Sequence, residues 1–409
     1  MDGDRTTLVL VSRPEQTALR EAALTSAELR QIGVANQCLV LNGVLRSDTT
    51  GDAIGSAFAT RGQSALQSMP KELAELPTQE ILLSARALIG VEALRSMFKS
   101  DCSATVHDQH STTDELPPPL LNIVDELEKS GKGVIMTMGK GGVGKTSIAA
   151  AIAVELARRG HPVHLSTTDP AAHISWVVDN PLPLLTISRI DPSEETKAYQ
   201  NEVMQSAGRN LDEQGRALLD EDLRSPCTEE VAVFRSFANV VAKGQAGFVV
   251  LDTAPTGHTI LLLDAAQAYH KEVLRQSSNM PDAVINLLPR LRDPEFTRIL
   301  IVTLPEATPV HEAKRLQEDL ARADIHPFAW IINQSLSPLQ TTNAILVARQ
   351  QNEKLYVDEV KRLANRVAIV PWLPDAPTHS SGLDKLLGGK TLKAWSSSDA
   401  RSSSSAPVK

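Results

Sequence analysis

Two lysines, Lys140 and Lys145, lie in one glycine-rich segment, GKGGVGKTSIAA, which begins at Gly139. Gly139, Gly144, Lys145 and Thr146 satisfy the spacing GxxxxGK[ST], which is typical of a loop that binds nucleotide phosphates. Glycines let backbone N–H groups approach phosphate oxygens, and the N-terminus of the following helix adds positive charge. We expect Lys145 to contact the β- and γ-phosphates and the Thr146 hydroxyl to ligate Mg²⁺. A purely structural glycine turn is the alternative.

The predicted nucleotide-binding residues of this loop are Gly139, Lys140, Gly141, Gly142, Val143, Gly144, Lys145 and Thr146.

Two aspartates follow short apolar runs and could complete the chemistry. Asp169 in STTDPAAH follows PVHLST, and Asp252 in DTAPTGHT follows FVVL. Open α/β sheets bind ligands at the C-terminal ends of their strands, where both carboxylates are expected. We predict that Asp169 and Asp252 help Thr146 to hold Mg²⁺, and that Asp169 also orients the water that attacks the γ-phosphate. Either aspartate could instead cap the turn that follows it.

The elements that must position these residues alternate along the chain. Apolar runs such as GVIMTM, FVVLD, ILIVTLP and AWIIN are separated by amphipathic segments that have helical periodicity. Val- and Ile-rich strands that alternate with helices indicate a parallel sheet covered on both faces. With the glycine loop, the pattern predicts an α/β P-loop NTPase fold with a deviant Walker A motif and a mostly parallel sheet flanked by helices.

The chain also contains an internal repeat. A shift of 291 residues places the segment that begins at Thr6 on the one that begins at Thr297 without a gap, and matches Asn42 to Asn333. We interpret this as a duplication. Residues 1–98 then form an incomplete first half without a glycine loop, 99–119 a linker, 120–395 a complete P-loop ATPase domain, and 396–409 a serine-rich disordered tail.

Composition excludes several classes of function. The 409-residue chain has a net charge of −8 and no basic cluster, so a nucleic-acid partner is not expected. Cys38, Cys102 and Cys227 lie far apart without a CxxC pair, which fits a reducing compartment. The N-terminus lacks the features of a signal peptide, and no apolar run reaches the roughly 18 residues of a membrane span.

Four segments together, KGGVGKT, TTDPAAH, SPCTEE and DTAPTGHT, resemble the arsenical pump-driving ATPase family, chiefly its second half. The resemblance implies ATP hydrolysis with Mg²⁺, stimulated by arsenite or antimonite, that energises a membrane arsenite permease. It implies a cytoplasmic protein attached peripherally to the membrane through that pump. It further implies that Lys145 serves the chain's own nucleotide, that Lys140 reaches a phosphate bound by an opposite half, and that Asn333 contacts the adenine edge.

A thiol completes the predicted site. Ser225 suits a helix N-cap, Pro226 the first helical position, and Cys227 then falls in the first turn, where the helix dipole favours a thiolate. Arsenite and antimonite are soft and bind thiolates, and the resemblance implies metalloid ligands at Cys227 and His258. The first half lacks matching cysteines, so we do not expect a three-thiolate site within one copy.

Two other functions fit parts of the sequence. One is a related ATPase that delivers tail-anchored membrane proteins, although the CxxC pair and methionine-rich helices expected of it are not seen. The other is a truncated nucleotide-binding module with little turnover. Since the first half has no glycine loop, we expect Lys140 to act in a homodimer or in a pairing with another ATPase half.

Overall fold

The computed structural model describes residues 5–46, 49, 51–85, 90–96, 115–168, 182–253, 281–375, 377 and 379–388. Within these residues the chain forms two parallel sheets, and each of the two sequence repeats contributes strands to one of them. The parallel strands and the helices between them confirm the predicted α/β fold.

The first sheet belongs to the N-terminal repeat and has three parallel strands in the order β1-β2-β3. Its strands are β1 (Leu8–Ser12), β2 (Gln37–Val44) and β3 (Thr78–Leu82). Its helices are α1 (Gln16–Gln31), α2 (Ala53–Gln67), α3 (Lys71–Ala74) and α4 (Val91–Ser96). A small core between α1 and the sheet centres on Leu19, Leu39 and Leu41. We call residues 5–85 the first unit.

The second sheet has seven parallel strands in the order β10-β9-β8-β4-β7-β5-β6. The strands are β4 (Gly133–Met138), β5 (Val163–Thr167), β6 (Leu185–Arg189), β7 (Phe248–Asp252), β8 (Thr297–Thr303), β9 (Ala329–Ser335) and β10 (Val367–Pro371). Every residue of β4, β7 and β8 is buried, as expected for central strands covered on both faces.

Helices cover both faces of this sheet. They are α5 (Leu120–Glu128), α6 (Lys145–Arg158), α7 (Pro192–Ser206), α8 (Glu213–Asp222), α9 (Pro226–Ala242), α10 (Asp282–Ile285), α11 (Leu287–Arg292), α12 (Ala307–Arg322), α13 (Ala344–Leu363) and α14 (His379–Leu387). One apolar core joins the sheet to α5, α6 and α14, and the other joins it to α9 through α13. Both helix layers therefore anchor the strand ends that carry the predicted site.

The internal repeat is visible in the structure. The shift of 291 residues places Gln16–Gln31 of α1 on Ala307–Arg322 of α12, and Ala53 at the start of α2 on Ala344 at the start of α13. The pairing of β1 with β2 corresponds to the pairing of β8 with β9. The duplication that the sequence predicts is thus matched element by element.

The first unit packs through α2 on the part of the chain that forms the seven-stranded sheet, which we call the second unit. The Phe58 ring stacks on Trp372 with centroids 4.9 Å apart, and the Arg61 guanidinium lies 5.6 Å from the same indole. Arg61 also donates to the Leu373 carbonyl at 2.9 Å. The buried residues of this contact are Ile54, Leu336, Leu346 and Trp372. The contact therefore lies on the turns that follow β9 and β10.

Polar contacts across the interface are reciprocal. Arg61 of α2 donates to a carbonyl just after β10, and Asn352, its repeat counterpart in α13, donates to the Ala85 carbonyl just after β3 at 2.8 Å. In each repeat, one helix (α2 or α13) thus contacts the residues that follow the last strand of the other repeat. Such reciprocal contacts are those of an approximate two-fold arrangement.

The predicted linker joins the fold at its C-terminal end, where the Ile369 N–H donates to the Pro118 carbonyl at 2.9 Å and Pro119 forms a parallel bridge with Ile369. The rest of the predicted linker, apart from residues 115–117, and the predicted tail lie outside the described residues. The three boundaries between the four predicted segments therefore stay predictions.

Candidate nucleotide-binding site

The glycine loop connects β4 to α6 at the C-terminal edge of the seven-stranded sheet. Gly139 has a φ of 147°, and a Cβ there would lie 2.2 Å from the Val302 carbonyl oxygen. Gly144 has a φ of 90°, and its Cβ would lie 2.3 Å from Asn333 Nδ2. Only glycine fits at these two positions, because both the backbone angle and the space forbid a side chain. The strand–loop–helix context is the one that phosphate binding requires.

The two lysines of the loop differ in environment. Lys145, the first residue of α6, is buried, and its Nζ donates to the Lys140 carbonyl oxygen at 3.2 Å. The Lys140 side chain is exposed. The predicted roles of the two lysines stay predictions.

Thr146 and Asp252 meet beside the loop. The Thr146 hydroxyl donates to Asp252 Oδ2 at 2.7 Å, and the Thr167 hydroxyl approaches the same oxygen at 3.2 Å. Asp252 is the last residue of β7 and is only 1% exposed. Hydroxyl and carboxylate oxygens are the donors that Mg²⁺ prefers, so the residues present fit this cation. Thr167 was missed by the sequence reasoning, although the STT run before Asp169 was a usable signal.

Two predicted residues, Asp169 and His258, lie outside the described residues, so their roles stay predictions. Their nearest described neighbours are tied to the site. The Thr168 N–H donates to the Asp252 carbonyl at 3.0 Å, and the Thr253 hydroxyl donates to the Thr137 carbonyl at 2.8 Å. The first bond fixes the ends of β5 and β7 next to each other, and the second ties the end of β7 to β4.

Asn333 lies against the phosphate loop. Its Nδ2 donates to the Val143 carbonyl at 2.8 Å and its side chain is buried. The predicted contact with adenine stays a prediction. Asn42, its repeat counterpart in β2, is exposed. The two copies therefore keep the same residue at this position but bury it differently.

Cys227 occupies the first turn of α9, and the thiol is exposed. The helix begins at Pro226, as predicted. The Ser225 side chain makes no capping bond to a backbone N–H. Its hydroxyl lies 3.3 Å from the Thr228 hydroxyl instead. Among the described residues, no group of three His, Cys, Asp or Glu side chains is placed to hold a metal ion.

In the part of the chain that the structure describes, no helix has the length and apolar character needed to cross a bilayer.

Comparison with known proteins gives consistent results. The sequence profile of the anion-transporting ATPase family matches residues 132–290 and 264–388. The arsenical pump-driving ATPase of Escherichia coli is 48% identical over 388 residues, which are 94% of this chain and 66% of that protein. This chain thus spans just under two thirds of the length of that relative.

Two shorter relatives match as well. The putative arsenical pump-driving ATPase 2 of Aquifex aeolicus is 32% identical over 259 residues, which are 54% of this chain and 86% of that protein. The ATPase GET3 of Mycosarcoma maydis is 25% identical over 316 residues, which are 67% of this chain and 93% of that protein. The predicted resemblance is confirmed, and the chain belongs to the anion-transporting ATPase family.

Proposed function

We propose that this chain binds ATP with Mg²⁺ and hydrolyses the γ-phosphate. The observation that carries the proposal is the meeting of Thr146 and Asp252 at 2.7 Å beside a loop where only glycine fits at Gly139 and Gly144. Bound Mg²⁺ would neutralise charge on the phosphate oxygens. The site lies at the C-terminal ends of parallel strands, where this class of sheet binds ligands.

Each residue has a distinct task in this proposal. The backbone N–H groups of the loop and the N-terminus of α6 bind the phosphates, and Lys145 compensates the charge of the β- and γ-phosphates. Asp252 and Thr146 hold the cation, with Asp169 as a third oxygen ligand. Asp169 also orients the attacking water and accepts its proton. Asn333 contacts the adenine edge.

We further propose that the ATPase is stimulated by arsenite or antimonite and drives a membrane arsenite permease. The arsenical pump-driving ATPase of Escherichia coli, with 48% identity, supports this substrate class. Cys227 and His258 are the proposed metalloid ligands, since a thiolate and an imidazole suit a soft centre. The chain would then act in the cytoplasm, bound at the membrane through its pump.

The pairing of halves belongs to the same proposal. Lys140 is exposed, and we propose that it contacts a phosphate bound by a second ATPase half. A homodimer is the simplest source of that half. However, α2 of the first unit already covers the turns after β9 and β10, so a second copy has to pack elsewhere on this face or displace α2.

The alternative is an ATPase that delivers tail-anchored membrane proteins. The 25% identity to ATPase GET3 of Mycosarcoma maydis gives it partial support. The sequence has no CxxC motif and seven methionines, which is why we rank this function second. A nucleotide-binding module with little turnover is the third possibility.

ATP hydrolysis with and without antimonite separates these functions. We expect turnover that antimonite raises, and a Cys227→Ser variant that keeps basal turnover but loses the stimulation. Cys38→Ser, a change in β2 far from the loop in sequence, is the matched control and should respond like the parent chain. Stimulation retained in Cys227→Ser would place the metalloid ligands elsewhere. A rate of ATP hydrolysis that antimonite does not change would favour the tail-anchored protein targeting ATPase or the module with little turnover.

A further inference from the structure

The C-terminal end of β9 brings Asn333 to the phosphate loop in an uncommon backbone conformation; we call residues 333–337, the end of β9 and the two residues after it, the Asn333 turn. Gln334 has a φ of 55°, in the left-handed region that few non-glycine residues adopt. Its N–H donates to Asn333 Oδ1 at 2.9 Å, while Asn333 Nδ2 donates to the Val143 carbonyl at 2.8 Å. The placement of this amide therefore depends on what holds the turn in its conformation.

Glu353 of α13 contacts the next three residues of the turn. Its carboxylate accepts hydrogen bonds from the Ser335 hydroxyl at 2.8 Å, the Leu336 N–H at 2.9 Å, and the Ser337 N–H and hydroxyl, both at 3.0 Å. The residue is 7% exposed. Burial raises the pKa of this carboxyl, and the four donors oppose that effect. The donors to this buried carboxylate among the described residues are all uncharged, which is a costly arrangement and points to a role in fixing the turn.

The helix that carries Glu353 is itself fixed by the first unit. Asp52 Oδ1 caps α2 through the N–H groups of Ile54 and Gly55. Its Oδ2 accepts hydrogen bonds from the N–H groups of Thr342 and Asn343 at 2.9 and 2.7 Å, at the start of α13. One carboxylate thus joins the N-termini of two helices that are repeat counterparts.

We propose that Glu353 is a positioning residue of the nucleotide site. It holds the Asn333 turn against the phosphate loop. The proposed adenine-binding residue and the phosphate-binding loop are thereby kept in a fixed relative position. Asp52 sets the position of α13 and so links this support to the first unit. The inference rests on the proposed function, because it concerns how well the same site binds ATP.

The test is a double-mutant cycle between Glu353→Gln and Asn333→Ala. The glutamine keeps the size of the side chain, but it replaces one carboxylate oxygen with an NH₂ group, which cannot accept a hydrogen bond, and it removes the negative charge that the donors surround. We expect Glu353→Gln to raise the KM for Mg·ATP about tenfold and to change kcat by less than about twofold. In the Asn333→Ala background the same change should raise KM by less than about twofold, since the group it positions is gone. Glu359→Gln on the same helix is the matched control and should leave both constants unchanged.

Amide hydrogen exchange gives a readout that does not depend on turnover. In Glu353→Gln, faster exchange is expected at both Leu336–Ser337 and the loop residues Val143–Gly144. Three results would each overturn the proposal. They are faster exchange that is confined to the turn, a KM that Glu353→Gln leaves unchanged, and a KM in the double variant that equals the product of the two single effects. If Glu353→Gln does not fold, Ser337→Ala removes one hydroxyl donor and should give the same pattern at about two- to threefold. A parent chain that neither binds nor hydrolyses Mg·ATP contradicts the proposed function, while the exchange result still decides this inference.

Discussion

At the scale of single residues, the Lys145 ammonium is kept within the loop. The side chain is 6% exposed and donates to the Lys140 carbonyl, so its charge lies at a fixed place beside the loop's N–H groups. A cation that needs no reorganisation stabilises developing phosphate charge more than a mobile one does.

Removing this charge should stop turnover. We expect Lys145→Ala to lower kcat for ATP hydrolysis by at least about 100-fold, because the β- and γ-phosphates lose their fixed counter-charge. Phosphate release under saturating Mg·ATP measures the effect. Lys132→Ala, an exposed lysine before β4, is the control and should keep normal turnover. Activity of Lys145→Ala close to that of the control would contradict the assigned role.

His164 of β5 is half-buried beside a lysine. Its Nδ1 lies 2.9 Å from the Thr186 hydroxyl and its Nε2 lies 2.9 Å from the Ser188 hydroxyl. Lys243 Nζ lies 3.4 Å from the same Nε2. Desolvation lowers the pKa of His164, and the positive charge of Lys243 lowers it further.

This shift predicts a pH-dependent stability. Below the ordinary histidine pKa of about 6.5 the unfolded chain takes up a proton that folded His164 resists, so the free energy of unfolding should fall as pH decreases from 7 towards 5. Urea unfolding across this range measures it. His164→Gln should flatten the dependence, and Lys243→Gln should reduce it. An equal slope in the parent chain and in His164→Gln would show that other groups control it.

Local signals determined which site residues could be predicted. Thr146 and Asp252 were predicted together because a motif marks one and a strand end marks the other. Glu353 was not predicted, because it is separated from Ser335 by 18 residues in the sequence and the two meet only in the folded chain. Burial of a lone glutamate leaves no pattern in the surrounding sequence.

At the scale of elements, the contact between α2 and the turn after β10 joins the two units. Phe58 stacks on Trp372 and half-buries its ring among Ile54, Leu336 and Leu346. Aromatic stacking of this kind adds to the free energy gained by burying the ring. The contact should therefore contribute to the stability of the whole chain.

Truncating the ring tests this contribution. We expect Phe58→Ala to lower the free energy of unfolding by about 2 kcal/mol, through lost burial and a cavity beside Trp372. Leu24→Ala in α1, where the side chain is 64% exposed, is the control and should change stability by less than about 0.5 kcal/mol. Chemical unfolding followed by Trp fluorescence measures both. A Phe58→Ala chain as stable as the control would mean that the units are held together elsewhere.

The hydrophobic pattern of the sequence predicted the central strands of the seven-stranded sheet but not its edge strand β6. The runs GVIMTM, FVVLD and AWIIN form β4, β7 and β9, because strands buried on both faces are continuously apolar. The strand β6 (Leu185–Arg189) was not among the predicted apolar runs. Its sequence, LTISR, lies at the sheet edge and is partly exposed, so it lacks the apolar run that marked the others.

At the scale of the whole molecule, the exposed Lys140 predicts activity that depends on assembly. Mixing Lys140→Ala chains with Lys145→Ala chains should restore part of the ATPase activity that each lacks alone, because one intact composite site can form. Light scattering with Mg·ATP and antimonite should show a larger species in the parent chain. A parent chain that is monomeric under these conditions and fully active would rule out a homodimer.

Joining the two repeats in one chain changes what a substitution at their contact can do. In a two-fold assembly of identical subunits, one substitution alters both copies of a contact at once. Here Phe58 and Arg349 hold the same repeat position, yet one stacks on Trp372 and the other binds the Ser84 carbonyl and Glu306. Across the contact, one side is therefore an aromatic stack and the other is an arginine that donates to a backbone carbonyl. Because the two repeats are parts of one chain, a substitution at Phe58 leaves Arg349 unchanged. The residues on the two sides of the contact can therefore vary independently of each other.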